Sequence, residues 1–283
     1  MAARKLRVGR SRLGTYALAT QRKSGATMEL RKTFEEVADL YADVRKGYPT
    51  ALFDDLVEMG ALGPSTAVLE VGCGTGQATG DLARRAERVL ALDPGAGLVA
   101  NARAGVKAAN VDFAVSTFED FAAAPNAFDL IASAQAWHWV DQAVGFDKAA
   151  RALKPGGHLA IFGHVPMKAS EVLQPAFRAA FDAHWPGTWG HPSPQNWYLP
   201  EGPVPSLISA SGLFQPAEHR GYSWTWTLDP DLFGRYLRTD STYHVLPEAA
   251  RFALFDALAA AVAEHGGTYD SAWETHLYLA RKA

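Results

Sequence analysis

In VLEVGCGTGQAT, residues 68–79, an apolar run ends in glycines at positions 72, 74 and 76. Valine and leucine around one glutamate suit a strand buried on both faces. Glycine at every second position lets the chain turn sharply off that strand and leaves no side chain between backbone and ligand. A helix opening after the turn presents free N–H groups to a negative group. Strand, bare turn and helix in this order constrain the chain toward a parallel α/β sheet more than any other segment does. The spacing is not that of a dinucleotide loop, Gly-x-Gly-x-x-Gly, whose third glycine would fall where this chain has Gln77.

The alternation continues along the chain. RVLALD, VDFAV, FDLIASAQ and GHLAIFGH read as further strands, with helices expected from about Gln77 to Arg85, over GLVANARAG, and from about Asp141 to Leu153. Two helices precede the first strand. One has capping-box spacing from Thr33 to Glu36, with Phe34, Val37, Ala38, Tyr41 and Val44 on one face; the other starts at Pro49 and ends at Gly60. After His164 the alternation fails. Residues 184–205, HWPGTWGHPSPQNWYLPEGPVP, read as an insertion, either a functional loop or one packed down by its own aromatics. HRGYSWTWTL and THLYLARK then read as strands, separated by helices around DPDLFGRYLR and LPEAARFALFDALAAAVAEHGG. The expected fold is a doubly wound α/β sheet with N-terminal covering helices and an insertion after strand 5.

Composition narrows the function. The 283 residues are 48% hydrophobic and 20% charged, enough for a substantial core. No apolar stretch reaches the roughly 18 residues of a membrane span, and no secretory h-region follows the start, so a cytoplasmic protein without a membrane partner is expected. The lone cysteine, Cys73, excludes an internal disulfide framework and multi-cysteine metal sites. It reads as a small residue filling the turn. The histidines lack a spacing that converges on a metal, His184 with His191 included, and no metal is expected. Residues 1–27 hold seven Lys or Arg and no acid, which leaves 20 basic against 30 acidic side chains in the remainder. That segment reads as a solvated, disordered extension ahead of a domain over 28–283, in which 29–60 form the covering helices, 66–164 the cofactor-binding half and 165–245 the insertion and substrate-side elements. The acidic body argues against a nucleic-acid face.

Taken together, VLEVGCGTG, ALDPG, TFEDF, FDLIASAQAWHWV and RALKPGGHLAIF occur in the order found in class I S-adenosylmethionine-dependent methyltransferases, and the chain resembles their small-molecule subgroup, methyltransferase type 11. LYADVRKGYP is similar to that subgroup's covering segment. The resemblance implies a seven-stranded, mostly parallel sheet ordered 3-2-1-4-5-7-6 with an antiparallel last strand, and S-adenosylmethionine as cofactor. It implies that Glu70 with Gly72, Gly74 and Gly76 holds the methionine end, and that Asp93, followed by Pro94, accepts from the ribose hydroxyls. Thr117, Phe118 and Glu119 would border the adenine, with Thr117 standing where family members commonly have aspartate. Gln135 and Ala136 would lie near the sulfonium.

Methyl transfer from a sulfonium is an in-line displacement that mainly needs alignment and exclusion of water. A carboxylate acceptor needs no base, whereas a phenol, amine or carbon acceptor calls for one. His138, between Trp137 and Trp139, is the candidate catalytic base, or equally a structural hydrogen-bonder. Tyr41, Arg45, Tyr48, Trp137, Trp139, Trp197, Arg238 and Tyr243 are candidates for the substrate side, within a wider set of aromatics that includes Trp185, Trp189, Tyr198, Trp224 and Trp226, with Arg235 and His244. They suit a pocket for a flat or apolar molecule with an anionic handle, or else a second small core. The expected activity is methylation of a small-molecule oxygen, carboxylate or hydroxyl. The rivals are an RNA or DNA methyltransferase guided by the basic arm, against which SAQA stands where a base-amine enzyme has a Pro-Pro-aromatic motif, and a non-catalytic cofactor-binding protein.

Overall fold

The computed structural model describes residues 38–190, 194–240, 243 and 245–283. The basic segment, the capping box at Thr33–Glu36, Phe34, Val37, His191 and His244 lie outside the described residues. The described chain opens with helices α1 (Ala38–Val44) and α2 (Thr50–Glu58). There follow β1 (Ala67–Val71), α3 (Thr79–Ala83), β2 (Arg88–Asp93), α4 (Ala96–Gly105), β3 (Val111–Val115) and β4 (Phe128–Ala134). A 3-10 turn, Trp137–Trp139, leads to α5 (Gln142–Ala152), β5 (Leu153–Pro166) and α6 (Gln174–His184). A second 3-10 turn, Pro194–Tyr198, precedes α7 (Pro203–Ser211), β6 (Glu218–Leu228), α8 (Pro230–Arg238), α9 (Glu248–Glu264) and β7 (Tyr269–Arg281).

The seven strands form one sheet in the order β3-β2-β1-β4-β5-β7-β6, as the sequence implied. β1 pairs in parallel with β2 and β4, β2 with β3, and β4 with β5, while β7 runs antiparallel to both β5 and β6. Alternate residues of each strand enter opposite layers, the consequence of a two-residue repeat. Leu69, Ile131, Leu159 and Ile161 face one core with Phe146 of α5 and Ile208 of α7; Val68, Leu130, Ala132 and Phe162 face the other with Leu52, Phe53 and Leu56 of α2. Each such valine, leucine, isoleucine or phenylalanine contributes about 1.5–3 kcal/mol through burial. A third core joins α6, α8 and α9 to the cavity-side ends of β6 and β7 through Phe177, Phe233, Leu254, Phe255, Tyr269 and Trp273.

Two local expectations change. The helix expected from Gln77 begins at Thr79 and spans only five residues, because Gly74 and Gly76 take φ of 56° and 93°, outside the helical basin, and the turn runs on through Ala78. Described aromatics of 184–205 pack down: Trp197 and Tyr198 are buried in the core beside β5, Trp185 and Trp189 lie against Phe181, and α7 starts within the segment's last residues, while Gln195 lines the cavity described below.

Candidate active site

The chain passes from β1 through β2 to β3 on one side of the sheet and crosses to β4 on the other. The crevice this reversal leaves beyond the carboxyl ends of the strands is where open α/β sheets bind ligands. A cavity occupies it here, and α1 with the segment that follows closes it from above through Tyr41, Arg45, Lys46 and Tyr48.

Its floor is the turn after β1. The Gly72 and Cys73 N–H groups both donate to the Leu92 carbonyl at 2.8 Å, which fastens the turn to the end of β2. Gly72 sits at φ 75°, and a Cβ there would lie 2.2 Å from the Ala136 methyl, so the tips of β1 and β4 touch only because residue 72 has no side chain. At Gly76, a Cβ would meet Val106 at 2.8 Å, so that glycine serves packing on the α4 side and does not line the cavity. Asp93 does line it. Its carboxylate accepts from the Gly74 N–H at 3.0 Å and the Gly95 N–H at 2.8 Å, which anchors it at the cavity wall. Glu70 lies behind the wall at 0% exposure; Oε2 accepts from the Thr79 hydroxyl at 2.6 Å, and Oε1 has no hydrogen-bond partner. Burial lifts its pKa from 4.5 to about 7, against the Thr79 hydrogen bond and with help from the Asp93 charge.

Pro94, Thr117, Phe118, Glu119, Gln135 and Ala136 also line the cavity. Thr117 closes a turn by donating to Asp120 at 2.8 Å, and the Glu119 carboxylate accepts from the Asp141 N–H at 2.7 Å ahead of α5. Gln135, at φ 55°, clasps β5: its Oε1 accepts from His164 N–H at 2.6 Å and its Nε2 donates to the His164 carbonyl at 3.3 Å.

The far end of the cavity is built from β5, β6, β7 and α8. Trp224 and Trp273 are opposite one another in the β6–β7 register and stack at 5.5 Å with planes 21° apart. His164 of β5 pairs with Thr275 of β7, their Nδ1 and Oγ1 2.8 Å apart, and the Trp224 indole donates to the same oxygen at 2.9 Å. With one lone pair taken by the indole, the Thr275 proton is used if it goes to Nδ1, which leaves the imidazole proton on Nε2. Burial pushes the His164 pKa down to about 3, the Arg45 charge adds to this, and the Gly47 and Lys46 backbone opposes it. The ring is therefore neutral across the physiological range, and its buried Nε2 makes no hydrogen bond of good geometry.

Other expected residues lie elsewhere. His138 does not line the cavity; its Nδ1 is 2.9 Å from the Tyr198 hydroxyl. Trp137 is wholly buried against Phe118 and Phe146, and Trp197 is buried beside His138. Arg238 lies over Phe252, and Tyr243 packs on Phe255. Tyr41, Arg45, Tyr48 and Trp139 do line the cavity, as do Trp224 and Trp226. His164, Tyr236, Trp273, Lys46 and Gln195 are lining residues that the sequence reading missed. A signal existed for Tyr236, one residue beyond the flagged Arg235 on the same helix; none existed for His164, whose neighbours come from another strand.

Residues 69–161 match the family described as Methyltransferase domain. The fold matches a protein of Anaeromyxobacter dehalogenans described as a candidate type II methyltransferase, at 27% identity and a TM-score of 0.60 over 84% of this chain and 97% of that one. The chain carries a class I methyltransferase domain. Within it, Gly72, Asp93 and Gln135 all belong to the matched segment, whereas Arg45, Trp224 and Trp273 lie outside it. An uncharacterized methyltransferase of Mycobacterium tuberculosis is 32% identical over 133 residues, 47% of this chain and 52% of the relative. The chain thus spans about half the length of the first curated relatives it matches. The ubiquinone biosynthesis O-methyltransferase of Cereibacter sphaeroides is 28% identical over 181 residues, 60% of this chain and 71% of the relative. Among the described residues, no helix of the domain or its additions is long and apolar enough to cross a membrane, and no group of three acidic, histidine or cysteine side chains is placed to hold a metal.

Proposed function

We propose that the protein transfers a methyl group from S-adenosylmethionine to an oxygen of a small molecule, a carboxylate or a hydroxyl. The observation that carries this is Asp93: a carboxylate fixed by two backbone N–H groups at the wall of a cavity whose floor is a side-chain-free bend. The surroundings fit a cationic nucleoside ligand. Two carboxyl groups, Asp93 and Glu70, flank the bend, and Glu70 keeps a buried oxygen without a partner, which a positive charge nearby would stabilise.

In this reading Asp93 receives the ribose hydroxyls, Phe118 and the Thr117–Glu119 backbone border the adenine, and Glu70 holds the turn from behind through Thr79. The sulfonium supplies an electrophilic methyl group. Gln135, clamped to β5, fixes the wall past the end of β4, and Tyr48, Trp139 and the indoles of β6 and β7 keep water from the transfer path. The acceptor end offers no base near neutrality among its shifted groups: the His164 ring is pushed down to about 3, and burial raises the Tyr48 and Tyr236 phenols. This favours a nucleophile that is already deprotonated, which a carboxylate is. The O-methyltransferase name of the Cereibacter relative points the same way.

The test is calorimetry with S-adenosylmethionine and S-adenosylhomocysteine on the full chain and on Asp93→Ala. Loss of hydrogen bonds to a charged acceptor should weaken binding by about 1.5–3 kcal/mol. Equal affinity in the two proteins, or no binding by either, would sink the reading.

A further inference from the structure

The end of the cavity away from Asp93 has an unusual balance of hydrogen-bonding groups. Trp226 and Trp273 line it at 5% and 4% exposure, and each has a buried indole nitrogen with no hydrogen-bond partner. An indole nitrogen can only donate. His164 Nε2, also buried there, makes no hydrogen bond of good geometry but has the Gly47 and Lys46 backbone near it. Buried donors left unsatisfied cost about 1–3 kcal/mol each and are rare in folded proteins, so two in the rings of one wall favour an acceptor-bearing occupant against that wall.

The charges agree. Arg45 lies over the rings of Tyr41 and Tyr236 at 5.0 and 4.6 Å, and it donates only to neutral oxygens, the Thr239 hydroxyl and carbonyl, both at 2.9 Å. No carboxylate pairs with it among the described residues; Asp240 is felt through space. Arg235 and Arg85, by contrast, meet carboxylates, Asp43 for the first and Asp54 and Asp81 for the second. Lys46, also at the wall, has its ammonium 5.7 Å from the Trp226 ring and likewise no ion pair among the described residues. The carboxylates that line the cavity, Asp93 and Glu119, belong to the opposite end.

We propose that this end is the acceptor subsite for a flat aromatic carboxylate, its ring held by the indoles of β6 and β7 and its anion met by Arg45, with Lys46 beside it. The inference rests on the methyl-transfer reading and narrows its acceptor. An aliphatic acid would leave the ring faces unfilled, and a neutral aromatic would leave the half-buried Arg45 without a counter-charge. The guanidinium fork matches a carboxylate geometrically.

The experiment uses the full chain saturated with S-adenosylhomocysteine, titrated with 2-naphthoate, 2-naphthamide and cyclohexanecarboxylate, with indole fluorescence and calorimetry as readouts. The expected result is that the naphthoate binds about tenfold or more tighter than the amide, the difference a charge-assisted hydrogen bond supplies, and tighter than the alicyclic acid. Arg45→Gln should bring acid and amide to within about threefold of each other and leave S-adenosylhomocysteine affinity unchanged. If that variant does not fold, the acid-to-amide ratio in the unaltered protein decides alone. Cofactor binding with acid and amide alike, or with neither bound, overturns the subsite and leaves the methyl-transfer reading standing. Failure of S-adenosylhomocysteine itself to bind overturns that reading and the acceptor subsite with it.

Discussion

The His164 imidazole lies flat on the Tyr48 phenol, with ring centroids 4.3 Å apart and planes within 18°. The contact joins β5 to the segment between α1 and α2, so the cover over the cavity and the sheet beneath it meet at a neutral aromatic pair. With its pKa lowered from 6.5 to about 3, His164 resists protonation in the folded state. Its contribution to stability is complete above pH 6.5 and is lost as the pH falls toward 3. The ring signals assigned by comparison with His164→Asn should show no titration in NMR spectra between pH 5 and 8, and acid melts should cost the unaltered protein more than the variant. A midpoint near 6.5 for this ring would contradict the buried geometry.

Glu70 has the opposite sign. Its folded-state pKa of about 7 exceeds the ordinary 4.5, so the folded protein holds a proton the unfolded chain gives up, and stability falls as pH rises between those values. Glu70→Gln removes this penalty. Urea unfolding at pH 5 and pH 8 should show the variant gaining on the unaltered protein at the higher pH, by up to about 3 kcal/mol. Parallel pH dependence in the two proteins would mean that the buried carboxyl is already ionised at no cost.

Gly72→Ala combines two penalties. The positive φ costs an L-residue about 1–2 kcal/mol, and the new methyl would sit 2.2 Å from that of Ala136, which adds about 1–3 kcal/mol of overpacking. Adding Ala136→Gly should recover the second part only. A double-mutant cycle by denaturant unfolding measures the recovery, and strictly additive effects would show that the strand tips do not press on each other.

His138 is bonded to Tyr198 outside the cavity wall. His138→Phe should therefore cost about 0.5–1.5 kcal/mol of stability for the lost hydrogen bond while methyl transfer to an accepted carboxylate stays within about threefold. A fall of about a hundredfold or more in kcat, the size associated with loss of a general base, would return this residue to the chemistry.

The sheet order and the residues at the Asp93 end of the cavity were readable because their signals are local: alternation along each strand, a bare turn opening at Gly72, a carboxylate at the end of β2. The far end of the cavity was not, since its neighbours are set by antiparallel register. His164 meets Thr275 across 111 positions, and Thr275 meets Trp224 across 51. His138 and Trp137 looked functional from their place after β4, but a buried indole wedged between Phe118 and Phe146 turns that segment toward the core. Trp197 and Tyr198 were legible as aromatics, though a run of residues does not say which layer will absorb them.

The antiparallel placement of β7 between β5 and β6 has a practical consequence for engineering. On the proposed reading, the rings that would face the acceptor ride on three hydrogen-bonded neighbours at one side of the sheet, while the groups that would face the donor come from loops after β1, β2 and β4. Saturation libraries over positions 224, 226 and 273 should therefore shift substrate preference while leaving the loops after β1, β2 and β4 intact.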